Sequence, residues 1–273
     1  RRLAHLCDAG GAVAAQAALA QLALAAGFYA GPVTGTKTIP ETGIYEPGKG
    51  VVPFLDVQSL RSPGHDPGPL SQTRPPVVVT FYRSYLMAAD LAPIDALCAE
   101  LETRGFRPVA LFVPALKNPA ARSFLQDTLP QIAPAAIVNA TAFSGRGDDG
   151  TSPLDAPGCP VFQVALSTAR RKEWADSERG LSPADLAMHV VLPEVDGRLF
   201  TGVVSFKAPE KKDPHLQFSR FSHRAQADRI AAVVDRIEGW HRLATAPPED
   251  RKLAIVLSTY PGREDQIAHT INL

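Results

Sequence analysis

Short apolar runs alternate with longer amphipathic segments over the middle of the chain. The apolar runs, rich in β-branched and aromatic residues, lie at 77–82, 108–113, 135–139 and 160–166. Two segments between them, 93–104 and 119–132, repeat apolar residues at helical spacing. Such runs predict strands buried on both faces, and the segments between them predict helices. The alternation predicts an α/β fold, a Rossmann-like or flavodoxin-like, mostly parallel sheet with helices on both faces.

Further elements are predicted on both sides of this region. Residues 187–192 and 199–206 have the pattern of two more strands, 227–244 that of a long helix, and 253–257 that of a strand. An Ala-rich helix at 9–27 is expected to end at Gly27. The leucines Leu3, Leu6, Leu22 and Leu24 are expected to be buried.

Proline content divides the chain. Nine prolines stand between Gly31 and Pro76, which predicts a connector with little regular structure. We therefore predict four parts: 1–30, a helical segment that ends a preceding domain; 31–76, the Pro/Gly-rich connector; 77–250, an α/β domain; and 251–273, the start of a second, incomplete α/β unit. The incomplete last unit and the missing initiator Met favour a fragment of a longer protein.

Composition narrows the class of protein. The 273 residues are 45% hydrophobic and carry 28 basic and 28 acidic side chains, so the formal net charge is zero. A neutral chain lacks the basic excess that drives nucleic-acid binding. The three cysteines are far apart and predict neither a disulfide framework nor a zinc motif. The longest apolar stretch, 12–26, is too short to cross a bilayer, and a cytoplasmic location is expected.

Polar side chains follow several predicted strands, where ligands bind in open α/β sheets. They belong to Tyr82, Arg83, Asn139, Ser144, Glu194 and Asp196. Glu194 and Asp196 could take protons or hold a cation. The alternative is a hairpin turn with Asp196-Gly197 at the bend, which we favour for Asp196. For Glu194 the two interpretations stay balanced.

Histidines and a glycine-rich loop are further candidates. His189 lies in a predicted apolar strand, where a histidine is more often structural, and His223 is a better candidate ligand or base. No histidine pair has the spacing of a zinc-protease helix. The loop 144–150 lacks the ending of a phosphate-binding loop, so this chain is not expected to bind ATP.

Several motifs together resemble a known family. They are Phe81-Tyr82-Arg83-Ser84, Asn139-Ala140-Thr141-Ala142-Phe143-Ser144, Leu192-Pro193-Glu194-Val195-Asp196-Gly197-Arg198-Leu199-Phe200-Thr201 and Ser205-Phe206-Lys207-Ala208. In order and over roughly residues 40 to 265, the chain resembles the large subunit of aerobic cobaltochelatase, which is related to the large subunit of magnesium chelatase. The family pattern usually has Asn at His189 and His at Glu46, which weakens a shared ligand role at either position.

The resemblance implies an ATP-dependent insertion of Co²⁺ into hydrogenobyrinic acid a,c-diamide, a cobalamin precursor. Co²⁺ is then a substrate, and ATP and Mg²⁺ are used by AAA+ partner subunits. It further suggests a catalytic role for Glu194 and His223, and substrate binding by Arg83, Tyr82, Asn139 and Ser144, with Arg83 on the peripheral carboxylates. His189 and Asp196 are the candidate metal ligands. The alternatives are a magnesium-chelatase-type subunit acting on protoporphyrin and a noncatalytic scaffold or docking module of the same subunit.

Overall fold

A computed structural model describes residues 1–35, 38–52, 74–215, 217–255, 259–260 and 263–267. The chain forms two compact units, Arg1–Glu238 and Gly239–Leu273. Among the described residues, no helix is both long and apolar enough to cross a membrane. The four-part domain division stays a prediction.

The first unit is built on one mixed eight-stranded sheet in the order β2-β1-β4-β3-β5-β6-β7-β8. Its strands are β1 (Gly43–Glu46), β2 (Gly50–Val52), β3 (Pro76–Tyr82), β4 (Arg107–Val113), β5 (Ala136–Asn139), β6 (Val161–Ser167), β7 (Leu199–Pro209) and β8 (Phe221–Ala225). The five central strands, β4-β3-β5-β6-β7, are parallel to one another. The edge strands β1, β2 and β8 run antiparallel to their neighbours. The predicted, mostly parallel α/β sheet is confirmed.

Helices cover both faces of this sheet. The α-helices among the described residues are α1 (Arg2–Ala9), α2 (Gly11–Ala25), α3 (Arg83–Met87), α4 (Ala92–Thr103), α5 (Pro119–Ile132), α6 (Arg171–Ala175), α7 (Pro183–Leu186), α8 (Leu192–Val195) and α9 (Ala227–Thr245), and of these α1 and α2 pack in a cluster of their own. Alternate residues of β3 point to opposite faces. Val77 and Val79 pack with α4 and with the part of α9 in this unit, whereas Val78 packs with α5. Burial on both faces explains why β3 is apolar throughout.

The second unit holds the end of α9, a short 3₁₀ turn at Pro248–Asp250 and a small antiparallel pair of strands, β9 (Thr259–Tyr260) and β10 (Arg263–Ile267). The strand predicted at 253–257 is not formed at 253–255, and the rest of that segment lies outside the described residues.

The predicted connector contains part of the sheet. β1 and β2 form a hairpin, and β1 pairs with the edge of β4. Ile44 and Tyr45 are buried there, and the turn uses positive φ angles at Gly48 and Gly50. The expectation of little regular structure over 31–76 is therefore wrong at 43–52. The Pro/Gly-rich composition of the segment gives no sign of the β1–β2 hairpin, which is stabilised by its pairing with β4.

Two other local expectations are wrong. The N-terminal region forms two helices because Gly10 breaks them at φ 67°, and Leu3, Leu22 and Leu24 are exposed while Leu6 is buried. Residues 187–192 are helical, since a π-helical turn, Ala187–Val191, joins α7 to α8. Ser182 starts this helical segment by accepting a hydrogen bond from the Asp185 amide. A short apolar run does not by itself distinguish a strand from a helix.

Candidate active site

The parallel strands place a cleft where the chain order reverses. β3 is followed along the chain by β4 on one side and by β5 on the other. Ligands of open α/β sheets bind at the carboxyl ends of the strands at such a point. Tyr82 ends β3 and Asn139 ends β5, so the sequence prediction found two residues at this position.

Tyr82 ties the two strand ends together. Its hydroxyl donates a hydrogen bond to the Ala142 carbonyl at 2.7 Å and accepts one from the Ala142 amide at 3.0 Å. Burial raises the pKa of Tyr82, while the bond to Ala142 acts in the opposite direction. The phenol therefore stays protonated at neutral pH and fixes the loop that follows β5.

Asn139 belongs to a buried polar network below the cleft. Its side-chain oxygen accepts from Thr80 Oγ1 at 2.6 Å and from Thr141 Oγ1 at 2.8 Å, and its amide donates to Gln163 Oε1 at 2.6 Å. Asn139 and its partners Thr80, Thr141 and Gln163 are fully buried. These bonds shape the strand ends and direct Asn139 away from a ligand.

The cleft itself has a volume of about 300 Å³ and a mostly apolar lining. Its walls are formed by Tyr82, Ala115, Leu116, Lys117, Ala142, Phe143, Ser144 and Leu192. Phe143 adopts a left-handed backbone conformation, φ 64°, with 49% of the residue exposed. Such strained, exposed apolar residues occur at ligand sites. Lys117 adds one positive charge at the rim.

A buried ion pair holds the cleft loop. Arg198 Nη2 lies 2.6 Å from Asp196 Oδ2, and their side chains are 2% and 0% exposed. Asp196 also accepts hydrogen bonds from Ser144 Oγ at 2.5 Å and from the Gly145 amide at 2.7 Å. A Cβ at Gly145 would lie 2.8 Å from Arg198 Nη2, so the loop approaches closely because of this glycine. Asp196 and Ser144 are thus brought together, and the predicted role of Asp196 as a metal ligand gains no support.

Glu194 lies on α8, two residues after the cleft residue Leu192. It is exposed, whereas Asp196 caps the helix. The predicted hairpin turn at 196–197 is wrong, because the chain reaches β7 from a helix and not from a strand. Glu194 therefore presents a solvated carboxylate close to the cleft in sequence.

Arg83 is engaged elsewhere. Its guanidinium donates to the carbonyls of Ile39 at 2.6 Å, Pro40 at 2.8 Å and Ala9 at 3.3 Å. These bonds attach the N-terminal segments to α3. The structure does not bring Arg83 together with Lys117 and Ser144 at the cleft, and Lys117 is the cation that sequence reasoning missed.

A second cluster contains His223. Its ring Nδ1 lies 2.7 Å from Asp90 Oδ2, and its backbone amide donates to Asp90 Oδ1 at 2.8 Å. Tyr85 packs edge-on against the imidazole, with 5.4 Å between ring centroids, and the Tyr82 ring lies 6.3 Å from Tyr85. Burial, together with the charges of Tyr82, Asp90 and Asp185, raises the pKa of Tyr85 to about 12.

His189 lies on the π-helical turn Ala187–Val191. It is buried, and its pKa is lowered mainly by burial, with Asp185 opposing the shift and His223 adding to it. Asp185 accepts hydrogen bonds from Ser167 Oγ and from Thr168 Oγ1, at 2.8 and 2.9 Å, at the end of β6. The predicted apolar strand around His189 is wrong, because the residue lies on the π-helical turn Ala187–Val191.

Sequence reasoning missed Asp90 and Asp185. Asp90 precedes a helix, where an acidic residue is normally interpreted as a cap, and its partner His223 lies 133 residues away. No local sequence pattern predicts that Asp90 pairs with His223. Over the described part of the chain, no three His, Cys, Asp or Glu side chains are grouped to hold a metal ion.

Comparisons with known proteins agree with this architecture. The family model described as CobN/Magnesium Chelatase matches residues 7–273. The chain is 33% identical to the aerobic cobaltochelatase subunit CobN of a Sinorhizobium species over 87% of this chain and 19% of that protein. It is 34% identical to the CobN subunit of Pseudomonas aeruginosa over 73% of this chain and 16% of that protein.

Magnesium chelatases are also similar. A magnesium-chelatase subunit of Rhodobacter capsulatus is 29% identical over 81% of this chain and 19% of that protein. Among solved structures, the catalytic subunit of cobaltochelatase from Mycobacterium tuberculosis superposes with a TM-score of 0.67 and 25% identity, over 95% of this chain and 20% of that one. The chain spans a fifth or less of the length of these proteins.

Proposed function

The chain belongs to the CobN/magnesium chelatase family, and from this premise we propose that it is part of the tetrapyrrole- and metal-binding subunit of an ATP-dependent cobaltochelatase. The reaction would insert Co²⁺ into hydrogenobyrinic acid a,c-diamide in cobalamin biosynthesis. The observation that carries the proposal is the higher identity to cobaltochelatase subunits than to magnesium chelatase, in a chain with a cleft at its strand ends.

The cleft would hold one edge of the macrocycle. Its volume of about 300 Å³ is at the lower end for ligand pockets, too small for a whole tetrapyrrole. Phe143 and Leu192 offer apolar contact to a ring face, and both are partly exposed. Lys117 is placed to attract the peripheral carboxylates of a corrinoid precursor, the role predicted for Arg83.

Metal insertion needs a proton acceptor. An inner N–H of the macrocycle must break, its electron pair staying on the nitrogen that then binds the metal. Glu194 presents an exposed carboxylate two residues after the cleft residue Leu192, which suits a base that meets a bound ring. We propose Glu194 for this step.

Energy would come from other subunits. No phosphate-binding motif occurs in the sequence, so ATP and Mg²⁺ would be used by AAA+ partners. A magnesium-chelatase-type activity on protoporphyrin is the second candidate, because subunits of that enzyme are also relatives.

Reconstitution tests this proposal. The full-length subunit, its ATPase partners and ATP are supplied either with Co²⁺ and hydrogenobyrinic acid a,c-diamide or with Mg²⁺ and protoporphyrin, and insertion is followed by absorbance. We expect insertion with the cobalt pair only. Glu194→Gln should reduce kcat by at least about a hundredfold, the usual contribution of a positioned base, while Glu249→Gln, an exposed carboxylate of the second unit, should not.

Two results would contradict parts of the proposed function. Insertion of Mg²⁺ into protoporphyrin in preference to the cobalt reaction would assign the chain to the second candidate. Unchanged turnover in Glu194→Gln would remove Glu194 from the proton step.

A further inference from the structure

A backbone hydrogen bond attaches the loop that carries Phe143 to the helical segment beside the cleft. The Phe143 amide donates to the Met188 carbonyl at 2.7 Å. Met188 lies in the π-helical turn Ala187–Val191, and a carbonyl inside a helix normally accepts a bond from a later residue of the same helix. A helix carbonyl that instead accepts from a distant loop requires a local cause.

Pro193 supplies this cause. In a π-helical register the Met188 carbonyl would accept from residue 193, five positions later, but proline has no N–H. In an α-helical register it would accept from Leu192, four positions later, but the Leu192 amide donates to the Ala187 carbonyl. The Met188 carbonyl therefore has no donor in its own helix and is available to the Phe143 amide.

The same proline explains why the turn is π-helical. In an α-helix, a proline ring clashes with the carbonyl of the residue four positions earlier, which here is His189. The π-helical turn Ala187–Val191 lies directly before Pro193, where this clash would arise. Widened turns of this kind are frequent at functional sites. Pro193 thus accounts both for the turn and for the carbonyl that the turn leaves available.

Phe143 needs the attachment because its backbone is strained. Its φ angle of 64° lies in the left-handed region, which an aromatic residue adopts only where its surroundings hold it. The bond to Met188 fixes the Phe143 amide. Asp196 fixes the chain directly afterwards through Ser144 and Gly145. The loop is therefore held at both ends, with the half-exposed Phe143 side chain on the cleft wall.

We propose that Pro193 is a positioning residue of the cleft, which acts by leaving the Met188 carbonyl free to hold Phe143. The inference rests on the proposed function for the ligand, and goes beyond it by assigning the shape of the cleft to a buried residue outside the described cleft lining. Restoring the missing N–H should return the turn to an α-helical register. The Met188 carbonyl would then bond within the helix and release Phe143.

Hydrogen exchange of the full-length subunit tests the bond itself. Mass spectrometry with fragmentation to single residues follows the Phe143 amide in the wild type and in Pro193→Ala. We expect slow exchange in the wild type and at least about tenfold faster exchange in the variant, because the amide loses its acceptor. Pro183→Ala is the matched control and should exchange as the wild type does. Pro183 is exposed and begins α7, where a missing N–H removes no helix bond.

A double-mutant cycle tests whether Pro193 acts through Phe143. The Kd of the metal-free corrinoid precursor is measured by absorbance for Pro193→Ala, Phe143→Ala and the double variant of the full-length subunit. We expect each single variant to raise the Kd at least about fivefold, and the double variant to raise it no more than the larger single effect. A purely structural role would give independent effects, whose fold-changes multiply. Pro183→Ala should stay within about twofold of the wild type.

Thermal unfolding accompanies both measurements, and only variants that melt cooperatively are compared. Fast exchange of the Phe143 amide in the wild type would overturn the inference even if Pro193→Ala did not fold. Wild-type exchange in a cooperative Pro193→Ala, or multiplied fold-changes in the cycle, would overturn it as well. Failure of the proposed function is distinguishable, because wild-type affinity in Phe143→Ala would argue against the cleft as the ring site and leave the exchange result to decide the role of Pro193.

Discussion

Asp196 and Arg198 form a buried ion pair that holds the loop beside the cleft in position. Burial lowers the pKa of Arg198, and the adjacent Asp196 opposes that shift. The pair also joins the loop after β5 to the end of α8, through Ser144, Gly145 and the Phe143 carbonyl. Its role at the cleft is therefore to hold Phe143 in place.

Removing one partner of the buried Asp196–Arg198 pair should lower the free energy of unfolding far more than removing one partner of an exposed pair. Arg198→Met leaves the Asp196 carboxylate buried and without its cation, and we expect the free energy of unfolding to fall by about 3–5 kcal/mol. Glu46→Gln, which removes one partner of the exposed Glu46–Lys49 pair, should cost about 1 kcal/mol or less. Urea unfolding measures both. Similar losses in the two variants would contradict a structural role specific to the buried pair.

At the scale of elements, α3 connects the sheet to the N-terminal segments. Arg83 begins this helix, and its guanidinium donates to the Ala9 carbonyl of α1 and to the Ile39 and Pro40 carbonyls before β1. The sequence position of Arg83, directly after a strand, is typical of a ligand-binding residue. The contacts of Arg83 with backbone carbonyls instead indicate a structural role.

Arg83→Met separates these two interpretations. We expect the variant to expose the segment around Ala9 and Ile39, with faster amide exchange and earlier proteolysis there, and to leave the KM for the corrinoid precursor within about twofold of wild type. Hydrogen exchange with mass spectrometry and steady-state kinetics of the reconstituted complex are the measurements. A raised KM with unchanged exchange would restore the substrate-binding role.

The hydrophobic pattern of the sequence predicts the buried strands and the amphipathic helices correctly. It does not predict the elements whose structure depends on residues far away in the chain. The strand at 77–82 and the helix at 119–132 were evident because burial and helical spacing leave a clear pattern. The helical turn at 187–191 was not, since a short apolar run fits a strand as well. β8 was not predicted either. It is an edge strand, and its structure depends on its pairing with β7.

At the scale of the whole molecule, topology decides where chemistry can occur. Five parallel strands bring the loops after Tyr82, Asn139 and Ser167 to one edge, and the antiparallel β8 adds His223 to it. Sequence reasoning placed candidates at this edge correctly for Tyr82, Asn139 and Ser144. The Asp90–His223 pair required the folded chain, because 133 residues separate its members.

Binding of the metal-free corrinoid precursor tests the central claim most directly, that the cleft at the strand ends receives the macrocycle. The full-length subunit is titrated and the absorbance of the ring is followed for wild type, Leu192→Glu in the cleft wall and Leu22→Glu on the exposed face of α2. We expect Leu192→Glu to raise the Kd at least about tenfold and Leu22→Glu to change it less than about twofold. Equal affinity of Leu192→Glu and wild type would contradict the account.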